Sequence, residues 1–332
     1  MTGSKSATGR TRDFHGCERS VYRDRNSEKV STMNHLDRRS VLALLAAPAF
    51  AQSRPRVAIT MDDVQWPNIP EARRAGAEEA LLSLGKTRAF LFARGALVDN
   101  PHGARILTQW SSAGHWIGNH TYNHIPLLGK ISPEDFEAEI LQTEKILQGY
   151  SGFRKCFRFP VLKEGRTRAE RDHVRGFLTA HGYRNGAVTI DASDWYYDQR
   201  LVERLTANPD FDPARFREPY LNHIWDRAQF YDQLSRDVLG RSVPHTLLIH
   251  YNLLNSLFLR DVLQMFQTEG WGIVGADEAF ADPVFDRQPD IAPAGESLIW
   301  ALAKETGKFE NRLRYPGEDD VYEKPLLDNA GL

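Results

Sequence analysis

Short apolar runs rich in β-branched residues alternate along the chain with longer stretches whose apolar positions recur at helical spacing. Arg56-Val57-Ala58-Ile59-Thr60-Met61 reads as the first strand, and Pro70 to Leu84 as a helix with Ala72, Ala75, Ala80, Leu81 and Leu84 on its apolar side. Arg88 to Phe92 is a second strand, followed by a helix from Pro101 to Ala113 with proline in its first turn. Gly114 to Gly118 is a third strand. Ser132 then caps a helix that runs to about Gln148, with Pro133 at its first position and Glu134 and Asp135 facing its positive end. Further strands follow at Lys155–Phe159, Asn185–Ile190, Thr246–His250 and Gly272–Val274, with helices at Arg168–His181 and Leu254–Gln267. About seven strands, each followed by a helix, predict an α/β fold with a parallel sheet closed into a distorted (β/α)7 TIM-like barrel. An open doubly wound sheet is the other arrangement of such a pattern. No Gly-rich phosphate loop follows the first strand, where Asp62-Asp63-Val64-Gln65-Trp66 stands instead, and this argues against a nucleotide site.

Two parts of the chain fall outside that alternation. Residues 196–244 are long for one connection and rich in aromatics, and they read as one or two extra helices covering part of the barrel mouth. Past Phe285 the chain turns polar and rich in proline and glycine, which predicts a C-terminal extension over 286–332 that wraps the body, with one helix near Glu296–Lys304. The body itself is expected over 52–285.

The N-terminus reads as targeting rather than fold. Residues 1–32 are polar, charged and without periodicity, so they are expected to be disordered or untranslated, with Met33 as a possible start. Asp37-Arg38-Arg39-Ser40 is a positive segment with paired arginines, Val41 to Phe50 is short and apolar, and Ala49-Phe50-Ala51 fits a small-x-small cleavage site. The apolar run is shorter than the ~20 residues needed to span a bilayer. An export signal over 33–51, resembling the twin-arginine type, therefore places the mature protein in the periplasm or outside the cell, with no stable membrane span.

Composition narrows the picture only a little. The chain has 332 residues, 41% of them hydrophobic, and Lys+Arg 42 against Asp+Glu 44 leaves a net charge of −2, so no strong field favours nucleic acid. The two cysteines, Cys17 and Cys156, support neither a disulfide framework nor a thiolate metal site.

Candidate chemistry sits at the C-terminal ends of five of the expected strands, where barrels of this class keep their reactive groups. Asp62-Asp63 follows the first strand and Asn119-His120-Thr121-Tyr122-Asn123-His124 the third. Two histidines four apart can offer two imidazole nitrogens to one cation, from a helical turn or from a tight loop. Arg158, Asp191 with Asp194-Trp195, and His250 end the others. Each has a bland reading as a cap, an ion pair or a core histidine; it is their ordered recurrence at strand ends that makes them a set.

That set resembles the five motifs of carbohydrate esterase family 4, the NodB-homology polysaccharide deacetylases. Thr60-Met61-Asp62-Asp63, His120-Thr121-Tyr122-Asn123-His124, Arg158-Phe159-Pro160, Asp191-Ala192-Ser193-Asp194-Trp195 and Leu248-Ile249-His250 match them in order, over about residues 55–280. Met61 stands where the family has phenylalanine, and Val161-Leu162 where many members carry Pro-Tyr-Gly. The resemblance implies that Asp63, His120 and His124 bind a divalent metal, most readily Zn2+, with Co2+, Ni2+ or Mn2+ accepted by the same donors. It implies Asp62 as general base paired with Arg158, and His250 as general acid tuned by Asp194. Trp195, Leu248 and Pro160 are implied to wall the substrate pocket. The expected activity is metal-dependent hydrolysis of N- or O-acetyl groups on an acetylated glycan. A hydrolase of small amides or imides on the same barrel, and a non-catalytic glycan-binding module, are the rival expectations. His102, His115, His173, His181, His223 and His245 are expected to be solvated or capping, with His223 and Trp225 the two that could reach a substrate.

Overall fold

The computed structural model describes residues 54–84, 87–315 and 319–332, so the predicted export signal lies outside the described residues. Among the described residues there are nine strands: β1 Arg56–Asp63, β2 Phe90–Ala93, β3 Trp116–Asn119, β4 Phe153–Phe157, β5 Lys163–Gly165, β6 Arg184–Asn185, β7 Pro244–His250, β8 Gly272–Ile273 and β9 Ala294–Gly295. In β1 every residue from Val57 to Asp63 is buried. A strand packed on both faces has no polar side to alternate with, which is why the sequence reads as a continuous apolar run.

All pairings of the large sheet are parallel, in the order β6-β4-β3-β2-β1-β7. The ring closes through the segment after β6. Arg184 and Asn185 pair with β4, while Ile190 bridges Leu247 of β7 and its carbonyl accepts from the Leu248 amide at 3.0 Å. The strand expected over 185–190 is thus shared between two neighbours instead of running beside one. β7 lies along one edge of β1 from Arg56 to Asp62; on the other edge β2 takes Thr60–Asp63 and β8 takes Arg56–Val57. β8 therefore wedges under β2 at the N-terminal end of β1, and this distorts the barrel.

The helices come within two residues of the expected bounds: Glu71–Leu82, Pro101–Ser112, Pro133–Leu147, Arg168–Ala180 and Leu253–Thr268. The aromatic insert forms two helices, Asp194–Ala207 and Arg217–Leu239. It does not cover the mouth as expected. Tyr196, Tyr197, Phe216, Tyr220 and Tyr231 are buried in the main core, because large apolar side chains gain more from removal from water than a solvated mouth would allow. The extension joins that core as well. Ile299 and Ala303 of the helix Leu298–Thr306 are fully buried, and Leu327 comes from a further helix, Asp319–Asn329, that the sequence pattern did not suggest. β9 pairs antiparallel with β5, which brings the extension onto the segment that follows Arg158. No helix among the described residues is long and apolar enough to cross a membrane.

Candidate metal centre and active site

The β1–β7 register sets Asp62 beside His250, 188 positions apart in sequence yet partners across the sheet. Asp63 ends β1 with φ 74°, a left-handed conformation that aspartate tolerates better than most residues. The turn swings the two adjacent carboxylates into different surroundings. Asp63 Oδ2 accepts from Gln65 Nε2 at 2.9 Å, whereas Oδ1 is buried with no hydrogen-bond partner. A buried carboxylate oxygen left without a donor costs free energy unless something positive completes it. The groups facing it are His124 Nε2 at 3.7 Å and His120 Nε2 at 3.9 Å.

The two histidines come from a tight loop, which settles the choice that the spacing left open. Thr121 and His124 both have positive φ, Asn119 Oδ1 accepts from the Thr121 amide, and Thr121 Oγ1 accepts from the His124 amide. His120 Nδ1 lies 2.7 Å from the carbonyl oxygen of Arg158. A carbonyl only accepts, so the ring hydrogen is on Nδ1 and the Nε2 lone pair is left for the carboxylate side, 3.6 Å from Asp62 Oδ2 and 3.9 Å from Asp63 Oδ1, with the outer nitrogen held as in metal-ligating histidines. Burial pushes both imidazoles down to about 4, so both are neutral at neutral pH. Burial works to raise Asp63, but His124 and His120 outweigh it and hold the carboxyl at about 2. One donor atom from each of Asp63, His120 and His124 lies within 4.8 Å of the others. One carboxylate, with its orphaned oxygen, and two neutral imidazoles fit a divalent cation with open positions.

Asp62 is handled differently. Arg158 Nη1 contacts both of its oxygens, at 3.0 and 3.2 Å, while Nη2 reaches Thr60 Oγ1 and Nε donates to the Gly186 carbonyl. The guanidinium lies 4.3 Å from the centre of the Phe92 ring. Strand β4 ends at Phe157, two residues earlier than expected, so Arg158 leaves the sheet at its C-terminal edge and can turn inward. Burial raises the Asp62 carboxyl to about 6 even with Arg158 against it.

His250 is oriented by Asp194. Its Nδ1 is 2.8 Å from Asp194 Oδ1, and its backbone amide donates to Oδ2; Asn252 and Asn255 donate to the same carboxylate. Burial works against the imidazolium, but Asp194 and the two site carboxylates prevail and raise His250 to about 10. Nδ1 is committed to Asp194, so Nε2 is the nitrogen left for the cavity that His250 lines.

That cavity, about 360 Å³, is lined by Asp62, Asp63, His120, His124 and His250 together with Gln65, Leu248 and Trp195, the last 38% exposed at its rim. Arg158 and Asp194 stand behind it. Pro160 is buried and does not line it; Val161 and Leu162, both at positive φ, do. Gln65, Lys163 and Glu296 also reach the wall, and sequence reasoning gave none of them a role. Gln65 could have been found from its place two residues after the paired carboxylates. Glu296, paired with Lys163, arrives from the extension and had no local signal. His223 and Trp225 do not reach the cavity: His223 is buried against Ser193, and Trp225 packs on Phe266 and Trp271. His115 and His245 are buried in the body, contrary to the solvated or capping positions expected for them.

Comparison with known proteins finds a family model that matches part of the chain. Residues 51–184 match the family model described as polysaccharide deacetylase. A peptidoglycan-N-acetylglucosamine deacetylase of Bacillus cereus is 38% identical over 59 residues, which are 18% of this chain and 21% of that protein. The chain thus spans about a fifth of the length of the curated relative it matches. Among solved structures, the chitin deacetylase of Colletotrichum lindemuthianum is similar at 20% identity and a TM-score of 0.49, covering 70% of this chain and 90% of that one. A family 4 carbohydrate esterase from Streptomyces lividans, solved with acetate, is similar at 20% identity and a TM-score of 0.44, covering 68% and 95%.

Proposed function

We propose, from the match of residues 51–184 to the polysaccharide deacetylase family model and from the site they help to build, that the chain is an exported, metal-dependent hydrolase that removes N-acetyl or O-acetyl groups from a glycan. The observation that carries this reading is the convergence on one cavity of three unlike groups: the Asp63, His120 and His124 donors, the Asp62–Arg158 pair and the Asp194–His250 pair.

Asp63, His120 and His124 would hold the cation, for which zinc, cobalt, nickel and manganese all suit the donor set. When bound, such an ion polarises an acyl oxygen and acidifies water. The chain's own residues divide the remaining work. Asp62, ionised above about pH 6, receives the proton of the attacking water, and Arg158 keeps its carboxylate from turning toward Asp63. His250, still protonated below about pH 10, donates from Nε2 to the departing nitrogen or oxygen. An amine cannot leave as its anion in water, so this proton is needed for N-acetyl substrates. Asp194 holds Nδ1 and compensates the imidazolium charge. Two titratable groups whose surroundings keep one ionised as a base and the other charged as an acid mark the acid and base assignments. Trp195 and Leu248 offer apolar surface for the acyl methyl.

The test is acetate release from a panel of acetylated glycans, run beside hydrolysis of small cyclic imides. Release from at least one glycan, with imides untouched, is the expected result. Turnover of imides alone would shift the reading to a small-amide hydrolase, which the Val161, Leu162, Lys163 and Glu296 wall around the cavity would suit. Export is proposed from the segment 33–51.

A further inference from the structure

His223 takes no part in the chemistry just described, yet it sits at the end of a line of buried polar contacts that leads to His250. Its Nε2 lies 2.8 Å from the backbone nitrogen of Ser193. A backbone N–H only donates, so Nε2 is the acceptor and the ring hydrogen must be on Nδ1. Nδ1 faces Glu323 Oε2 at 3.3 Å. Glu323 belongs to the helix Asp319–Asn329 and is 3% exposed; Arg314 Nη2 approaches its Oε1 at 2.6 Å, and Tyr197 Oη donates to Oε2. Burial works to raise its carboxyl, but His223 and Arg314 hold it down at about 2, so it is ionised and accepts.

Ser193 is the residue before the helix Asp194–Ala207 and makes no side-chain capping bond there. Its φ of −95° and ψ of 34° lie outside both the helical and the extended regions, so the local chain does not fix them by itself. The conformation at Ser193 sets where the next two side chains go, and those are Asp194, which carries His250, and Trp195, which stands at the cavity rim. Ser193 and Asp194 are both buried.

We propose that His223, held in its Nδ1–H tautomer by Glu323 of the C-terminal extension, is a positioning residue that fixes Ser193 and through it the Asp194–His250 pair. The inference rests on the deacetylase reading for its kinetic consequence but not for its geometry. It assigns the extension a part in the site: without Glu323 the ring can flip or change tautomer, and the Ser193 amide loses its acceptor. A neighbouring ring that only filled space would have no need of a hydrogen-bonded acceptor at this amide.

The test uses the full chain with His223→Ala, His223→Gln and Glu323→Gln, and reads two quantities. One is the kcat and KM of acetate release; the other is the downfield proton resonance of His250 Nδ1–H, assigned by its loss in His250→Gln. His223→Ala is expected to lower kcat about 10- to 100-fold, as small misplacements of catalytic groups do, with KM little changed. It is also expected to shift or broaden the His250 resonance. His223→Gln keeps an acceptor for Ser193 and a donor for Glu323, so it should restore most of both. Glu323→Gln should act in the same direction as His223→Ala but less, and it carries the test if His223→Ala does not fold. A lowered melting temperature with kcat and the His250 resonance both unmoved would overturn the proposal. If the unmodified chain releases no acetate from any glycan, the deacetylase reading fails, and the His250 resonance still decides this one.

Discussion

Asp62 and His250 face each other across two strands, and between about pH 6 and about pH 10 one is a carboxylate while the other is an imidazolium. A base must be unprotonated and an acid protonated, so kcat/KM should rise with pH through a limb at or below 6, since a bound cation lowers Asp62 further, and fall through a limb near 10. Arg158 is the main influence that lowers Asp62 against its burial. Arg158→Met should therefore move the acid limb upward by about 1 unit or more, the usual scale for a carboxylate that loses an arginine. A pH profile with its acid limb unmoved in that variant would remove Asp62 from the role of base. Backbone strain gathers at the same place: Asp63, His124, Val161, Leu162 and Glu296 line the cavity at positive φ. Non-glycine residues hold such conformations only where their surroundings over-determine them, which is common at binding and catalytic sites.

At the scale of elements, Phe92 is the part that holds the strand ends together. A methyl group added at Gly118 or Gly186 would lie 2.6 or 2.5 Å from its ring, so β3 and the segment after β6 both need glycine to let Phe92 fill the barrel beneath Arg158. Gly186→Ala should cost about 1–3 kcal/mol by overpacking and, by displacing Phe92 and Arg158, lower activity although it touches no ligand. Thermal unfolding and kinetics measure both, and an unchanged melting temperature would show that the ring has room to move. The sequence revealed the strands through their apolar runs and the helices through period and caps, as with Ser132, whose hydroxyl accepts from the Asp135 amide. It could not reveal that 184–190 is shared between β4 and β7, because both partners lie far away in the chain and a single apolar run looks the same in either case.

For the whole molecule, the paired carboxylates, the two histidines, Arg158, Asp194 and His250 were legible because each ends an apolar run and their order recurs in a known family. Glu296 and Glu323 were not, since each depends on a long-range packing of the extension that leaves no local pattern. Nor was the burial of His223 and His245, because an isolated histidine among aromatics reads the same whether buried or solvated. The extension supplies core residues such as Ile299, Ala303 and Leu327 as well as Glu296 at the cavity wall, so the fold draws on the chain as far as Leu327 and the cavity as far as Glu296. Hydrolysis is proposed to depend on a cation held jointly by Asp63, His120 and His124. The most direct measurement is acetate release by the full chain before and after thorough chelation, then after adding back zinc or cobalt, with bound metal counted at each stage. Activity should be lost on chelation, return with about one ion per chain, as a single three-ligand site requires, and not return in His120→Gln. Undiminished release from metal-free protein would contradict that dependence.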